Sequence, residues 1–356
     1  MEGHTNCQRI RFSTGCMATT RYYHTQTLLK SGKVLVTGGY LSSSSALASS
    51  EIYDPSKDEW TSTTRMATAR YGHTATLLNS GKVLVTGGYK SLSSALASSE
   101  IYDPSEDQWN SAASMVTPRH FHTATLLNSG KVLVTGGYKS SPSDLASSEI
   151  YDPSQDQWNP SANMAVPRYL HTGTLLSSGK VLITGGYTSS PGGYLSASRA
   201  LASSGIYDPS QDKLASTTSM AMARYAHTIT LLNSGKVLVT GGYSSSSGAL
   251  ASSEIYDPSK NEWTSTTSMA MARYAHRATL LNSGKVLVTG GYSSSSSALA
   301  SSEIYDPSKD EWTSTTSMAT ARYGHTATLL NSGKVLVTGG YKSLSGALAS
   351  SEVYDP

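Results

Sequence analysis

Residues 69–88 read ARYGHTATLLNSGKVLVTGG. Residues 74–78 and 83–86 are rich in β-branched and apolar side chains, a composition typical of strands. Asn79, Ser80 and Gly81 between them predict a tight turn, because glycine adopts positive φ without a Cβ clash. The stretch therefore predicts two antiparallel strands, the second of which ends in a pair of glycines.

Double glycines recur along the whole chain of 356 residues. The pairs that keep a common period begin at Gly38, Gly87, Gly136, Gly185, Gly241, Gly290 and Gly339. Successive pairs are 49 residues apart, except that 56 residues separate the fourth pair from the fifth. Repeats of about 50 residues are typical of propeller blades and solenoid units.

Each repeat contains signals for four strands and none for a helix. In repeat two, a third strand is expected at residues 99–102 and a fourth near Trp109, and the Asp-Pro-Ser turn at residues 103–105 joins them. A sheet of four short strands is too small to be stable alone, so seven such sheets are expected to pack around a common axis. We therefore predict an all-β fold: a seven-bladed β-propeller of four-stranded antiparallel blades, forming one domain over residues 14–356.

The N-terminal segment, residues 1–13, is expected to complete the last blade. The chain stops at Pro356, before the seventh repeat reaches a fourth strand. Residues 9–14, RIRFST, are expected to supply that strand, with Arg11 and Phe12 near the position that Trp60 occupies in repeat one. This closure would cover a sheet edge that otherwise stays open.

A hydrophobic strand that ends in Gly-Gly, followed by Tyr102 and Trp109 with six residues between them, resembles the kelch repeat. The resemblance covers residues 14–356, and the blades are most similar to those of galactose-oxidase-like proteins. It implies that the first strand of each blade lies innermost and that ligands bind on the face with the longer loops. Repeat four departs from the pattern by seven extra residues, by Gly205 in place of glutamate and by Leu214 in place of tryptophan.

The longer connections, between second and third strands and between blades, lie on one side of the propeller because neighbouring strands are antiparallel. We call this side the loop face and the opposite side the turn face, and we expect binding on the loop face. The extra residues of repeat four lie there, within residues 188–204, and include Tyr194 and Arg199. Because Gly205 removes an acid, the Arg168 guanidinium is expected to be free for a carboxylate, phosphate or sulfate. Arg168, Tyr194 and Arg199 are therefore candidate ligand-binding residues.

An arginine opens the first strand of every repeat. These candidate ligand-binding residues are Arg21, Arg70, Arg119, Arg168, Arg224, Arg273 and Arg322. In one interpretation they form an anion-binding ring at the mouth of the channel. In the other, six of them form ion pairs with the glutamate that opens the third strand, two strand spacings or about 9.6 Å away.

No catalytic, metal-binding or cofactor-binding residue is predicted. Histidines recur in the first strands at His24, His73, His122, His171, His227, His276 and His325. Zinc requires nitrogen ligands about 2.0–2.1 Å from one centre, which strands around an open channel do not provide, so packing between blades is expected instead. No unique Ser-His-Asp triad stands out. Copper oxidases of the galactose-oxidase type need a tyrosine joined to a cysteine, whereas Cys7 and Cys16 both precede the first strand of repeat one.

Composition argues against several partners and cellular locations. The 27 basic residues are spread over the repeats, so no nucleic-acid-binding stripe is expected. No apolar run approaches the roughly 18 residues of a membrane helix, and no signal peptide or glycosylation sequon is evident. Two cysteines are too few for a disulfide framework. A cytoplasmic monomer with reduced thiols is therefore expected.

These patterns leave two hypotheses for function. The first is a non-enzymatic scaffold that binds a protein or peptide through the loop face, without a cofactor. The alternative is a carbohydrate-binding or galactose-oxidase-related module. An enzyme needs residues unique to one blade, whereas a scaffold needs only loop variation, and this variation is concentrated in repeat four.

Overall fold

A computed structural model describes residues 13–41, 45–90, 94–140, 143–189, 199–295, 297–343 and 346–356. Seven four-stranded antiparallel sheets form the blades. The predicted all-β, seven-bladed propeller is confirmed. None of the described residues belongs to a helix, so this part of the chain contains no helix that could cross a membrane.

Each blade is described from its innermost strand outward. The first strands are Thr25–Leu28, Thr74–Leu77, Thr123–Leu126, Thr172–Leu175, Thr228–Leu231, Arg277–Leu280 and Thr326–Leu329. The second strands are Val34–Thr37, Val83–Thr86, Val132–Thr135, Val181–Thr184, Val237–Thr240, Val286–Thr289 and Val335–Thr338. The third strands are Ser50–Asp54, Ser99–Asp103, Ser148–Asp152, Ser204–Asp208, Ser253–Asp257, Ser302–Asp306 and Ser351–Tyr354.

Outer strands and short ribbons complete the blades. The fourth strands of blades one to six are Glu59–Ser62, Gln108–Ala112, Gln157–Ser161, Lys213–Thr217, Glu262–Ser265 and Glu311–Thr315. Five connections on the loop face contain two-stranded ribbons. These pair Tyr89–Lys90 with Ser94–Ala95, Tyr138–Ser140 with Ser143–Asp144, Tyr187–Thr188 with Arg199–Ala200, Tyr243–Ser244 with Gly248–Ala249, and Tyr341–Lys342 with Gly346–Ala347.

The hydrophobic core lies between the blades. Val83 and Val85 of blade two pack with Leu35 of blade one, whereas Leu84 packs with Val132 of blade three. All four residues of every second strand are buried, since successive side chains point to opposite faces and both faces are covered. The first strands of neighbouring blades contact one another all around the ring, so they lie innermost.

The double glycines allow adjacent blades to approach closely. Gly38 has a φ of 62°, and a Cβ there would lie 2.5 Å from Cε1 of His73 and 2.6 Å from the carbonyl oxygen of Arg70 in the next blade. Gly39 has a φ of 108°, and its Cβ would lie 2.8 Å from Cβ of His24. A side chain at Gly38 would clash with His73 of the next blade, and one at Gly39 would clash with His24 of its own blade.

The outer edge of blade seven is paired with the N-terminal region. Ser13–Thr14 forms an antiparallel pair with the third strand of that blade, Ser13 opposite Glu352 and Thr14 opposite Ser351. Residues 9–12, the remainder of the predicted closing strand, lie outside the described residues. The expectation of reduced thiols is wrong for Cys16, which is disulfide-bonded.

Candidate functional site

Two aromatic positions of each blade meet on the loop face. One follows the arginine that opens the first strand, and the other follows Gly-Gly. A backbone bridge joins the two, as between Tyr71 and Tyr89. The fourteen residues are Tyr22, Tyr40, Tyr71, Tyr89, His120, Tyr138, Tyr169, Tyr187, Tyr225, Tyr243, Tyr274, Tyr292, Tyr323 and Tyr341. We call this set the aromatic collar.

The collar is closed. Each ring contacts the next within and between blades, with centroids 4.5 to 5.6 Å apart. Tyr341 and Tyr22 complete the circle at 5.0 Å. The rings meet edge to face or tilted, the arrangements that aromatic pairs prefer. His120 is buried, and the thirteen tyrosines are half-buried, so each tyrosine is open to solvent on part of its surface.

Burial and proximity raise the pKa of several collar hydroxyls. Burial, together with neighbouring tyrosines, raises the pKa of Tyr22, Tyr225 and Tyr323 to about 12. The pKa of Tyr71 and of Tyr274 is raised for the same reasons. At neutral pH these hydroxyl groups are uncharged and can both donate and accept hydrogen bonds.

A second, smaller ring is formed by the residue that follows the first collar position of each blade and precedes the first strand. Its members are Tyr23, Gly72, Phe121, Leu170, Ala226, Ala275 and Gly324, all with positive φ. The backbone N–H of each donates to the carbonyl of its counterpart in the preceding blade, at 2.9 to 3.2 Å, and Tyr23 closes the circle by donating to Gly324. Large side chains occur in blades one, three and four and small ones in the others, so the surface inside the collar is uneven.

The arginines of six blades form buried ion pairs, and the anion-binding ring is wrong for them. In blade two, Arg70 Nη2 donates to Glu100 Oε1 at 2.7 Å, and Arg70 Nη1 donates to the carbonyls of Gly87 and Ser98. The six arginine side chains are 0% exposed, which removes them from the channel mouth. The other five pairs are Arg21–Glu51, Arg119–Glu149, Arg224–Glu254, Arg273–Glu303 and Arg322–Glu352.

Of the three repeat-four candidates, the structure describes Arg168 and Arg199, which lie in different surroundings. Arg168 is buried beside Gly205 and forms no ion pair with a described residue. Arg199 is exposed, opposite Thr188 in the ribbon of blade four. Tyr194 lies outside the described residues. Leu214 takes the place of tryptophan in an outer strand that is paired over its full length, and it packs against the core between blades three and four.

One acidic residue beside this end of blade four was not predicted from the sequence. Asp144 of blade three accepts hydrogen bonds from the Thr188 hydroxyl at 3.1 Å and from the backbone N–H and hydroxyl of Ser189. Asp144 therefore ties the loop of blade three to the beginning of the repeat-four insertion. The available signal was its position, since the other repeats have alanine there.

The first-strand histidines lie between blades, as the sequence predicts. The Nε2 atom of His73 is 2.9 Å from the Thr25 hydroxyl of the preceding blade, and five other blades repeat the contact. In blade six Arg277 replaces the threonine, and His325 contacts Thr289 instead at 3.1 Å. No group of three or more His, Cys, Asp or Glu side chains arranged for a metal ion occurs within the described ranges.

Together, the repeat and the blade geometry define a kelch-type β-propeller. The chain belongs to the Attractin/LZTR1 beta-propeller family, whose model matches residues 10–251 and 193–347. No curated protein matches the sequence.

A solved structure that shares the fold is a fungal alcohol oxidase of the AA5 family in complex with copper. The TM-score is 0.75 at 16% identity, over 97% of this chain and 76% of the oxidase chain. At that identity, the similarity shows the fold alone.

Proposed function

We propose that the protein is a non-enzymatic scaffold that binds a protein or peptide segment on its loop face. The observation that carries this proposal is the aromatic collar, closed and half-exposed on that face. Tyrosine is enriched in the centres of protein interfaces, where its large ring and hydroxyl supply contact area and a hydrogen bond at low entropic cost.

The loops around the collar support the same proposal. They are rich in serine, a residue that accompanies tyrosine in antibody binding sites. Neighbouring loops are joined by hydrogen bonds: the hydroxyls of Ser245 and Ser294 accept from the backbone N–H groups of Ala200 and Ala249, at 2.9 and 2.7 Å. Loops held in this way lose less entropy when a ligand binds.

A carbohydrate-binding function is less well supported by the collar. Sugars stack on the open faces of aromatic rings, whereas most collar rings direct an edge or a tilted face at a neighbour. The oxidase alternative rests on the resemblance of the blades and on the fold shared with a copper enzyme at low identity. Neither the resemblance nor the shared fold identifies a copper-binding or catalytic residue in this chain.

The class of ligand is tested by probing one array of random peptides and one array of glycans with the purified protein. We expect a family of peptides to bind and the glycans not to bind. The same protein is also incubated with copper and assayed for hydrogen peroxide release from galactose and primary alcohols. Binding of glycans alone, or peroxide release, would overturn the proposal.

A further inference from the structure

Six blades enclose a glutamate in the same cradle, defined here as one arginine guanidinium and two backbone N–H groups from the connection that enters the blade. In blade five, Arg224 Nη2 donates to Glu254 Oε1 at 2.7 Å. The backbone N–H groups of Ala221 and Met222 donate to Oε2 and Oε1 of the same carboxylate at 2.7 and 3.1 Å. The carboxylate thus receives hydrogen bonds from three groups, one of them charged.

Blade four keeps the cradle without the carboxylate. Arg168 Nη1 donates to the carbonyls of Gly185 and Ser203, both at 2.8 Å, and Nη2 donates to the Ser203 hydroxyl at 2.9 Å. Arg224 makes the same contacts in blade five, so the guanidinium is held in the same place.

The two backbone donors of blade four are also in place. The N–H groups of Ala165 and Val166, the counterparts of Ala221 and Met222, have no acceptor among the described residues. Gly205 stands where the other blades supply the glutamate.

A cavity of about 30 Å³ lies at this position. Arg168, Val166, Ser203 and Gly205 line it, together with Ala165, which is exposed. A space of this size admits one small polar group such as a carboxylate.

Electrostatics favour an anion there. Arg168 is 4% exposed, and burial lowers the pKa of its guanidinium to about 10. A buried charge without a counter-ion is costly, and an incoming carboxylate would supply the missing one through short, charge-assisted hydrogen bonds.

We propose that the cradle of blade four binds one carboxylate group from outside the chain. The chemistry is shared by a free small carboxylate and by the acidic side chain of a bound peptide. The proposal does not depend on what the aromatic collar binds.

The test is thermal unfolding in acetate, with acetamide as the neutral control of similar shape, at constant sodium chloride concentration. We expect 100 mM acetate to raise the Tm by about 3 °C, as a ligand that binds only the folded state does. Gly205→Glu should abolish the acetate response; its Cβ would lie 3.0 Å from Cδ2 of Leu214, so that leucine has to shift to admit the glutamate. Blade five supplies the matched control: Glu254→Gly should lower the Tm and enlarge the acetate response, because it opens a second cradle.

A second variant, Arg168→Met, serves if Gly205→Glu does not fold. It leaves Gly205 unchanged and should abolish the acetate response, because it removes the guanidinium. Acetyl-Gly-Glu-Gly-amide, compared with its glutamine analogue, distinguishes the two sources of carboxylate. If the glutamate peptide also raises the Tm, the site binds acidic side chains as well as free carboxylates. If only acetate raises the Tm, the site binds free carboxylates alone. Equal responses to acetate and acetamide, or an acetate response that survives in both variants, would refute the site.

Discussion

Lowering the pH from 7 to 4 is expected to unfold the protein cooperatively, with the uptake of up to eight protons. The structure describes eight histidines, and all are buried. Burial lowers the pKa of His73 and His227 to about 3, helped by nearby arginines, and it lowers the pKa of His120 to about 4. In the unfolded chain the histidine pKa is about 6.5. The unfolded state therefore binds more protons below pH 6.5, and stability present above that pH is lost as the pH falls towards the folded pKa values.

The size of this effect follows from the number of histidines. Each one changes the free energy of unfolding by about 1.4 kcal/mol per pH unit inside the window, so eight change it by roughly 11 kcal/mol per unit. Total stabilities are commonly about 5–15 kcal/mol, so the transition should fall between about pH 4 and 6. Urea unfolding at a series of pH values measures the slope. The slope gives the number of protons taken up on unfolding, and His73→Gln should reduce that number by about one. Uptake of two protons or fewer by the parent protein would contradict the conclusion that the histidines are buried and neutral.

Arg70→Met is expected to destabilise the protein by about 3–5 kcal/mol, because it leaves the Glu100 carboxylate buried without its counter-ion. Arg168→Met is the matched control, since that arginine makes the same backbone contacts but has no acid beside it. The two variants are compared by their free energies of unfolding, measured in urea. The difference gives the cost of leaving the Glu100 carboxylate buried without its counter-ion. The double variant Arg70→Met, Glu100→Gln should recover part of the loss. Equal costs for the two single variants would show that the ion pair contributes little.

The propeller was predictable because the strands and turns of each blade are specified by residues close together in the sequence. The Asn79–Gly81 turn, the apolar second strand and the double glycine each specify geometry within a few residues, and the sevenfold period assembles the blades. The role of the arginines was not decided by the sequence, because an ion pair and an open ring use the same side chains. Burial distinguished them: the side chain of Arg70 is 0% exposed.

The collar could not be predicted from residue spacing. Tyr71 and Tyr89 are bridged in one blade, but the contact between Tyr40 and Tyr71 crosses between two blades, at 4.5 Å, and depends on how closely the blades pack. The cradle of blade four was partly predictable, because Gly205 differs from the other repeats. Its two backbone donors were not, since only the path of the connection into the blade places Ala165 and Val166 beside Arg168.

The role of the collar is tested most directly by the affinity of one array-selected peptide for three proteins. These are the parent, the collar variant Tyr243→Ala, Tyr274→Ala, whose rings are 5.2 Å apart, and Lys236→Ala, an exposed residue of the turn face in blade five. Removing two tyrosines from the centre of an interface is expected to weaken binding at least about 30-fold. We expect that loss in the collar variant, with unchanged affinity in Lys236→Ala. Parental affinity in the collar variant, together with weaker binding by Lys236→Ala, would contradict binding on the loop face.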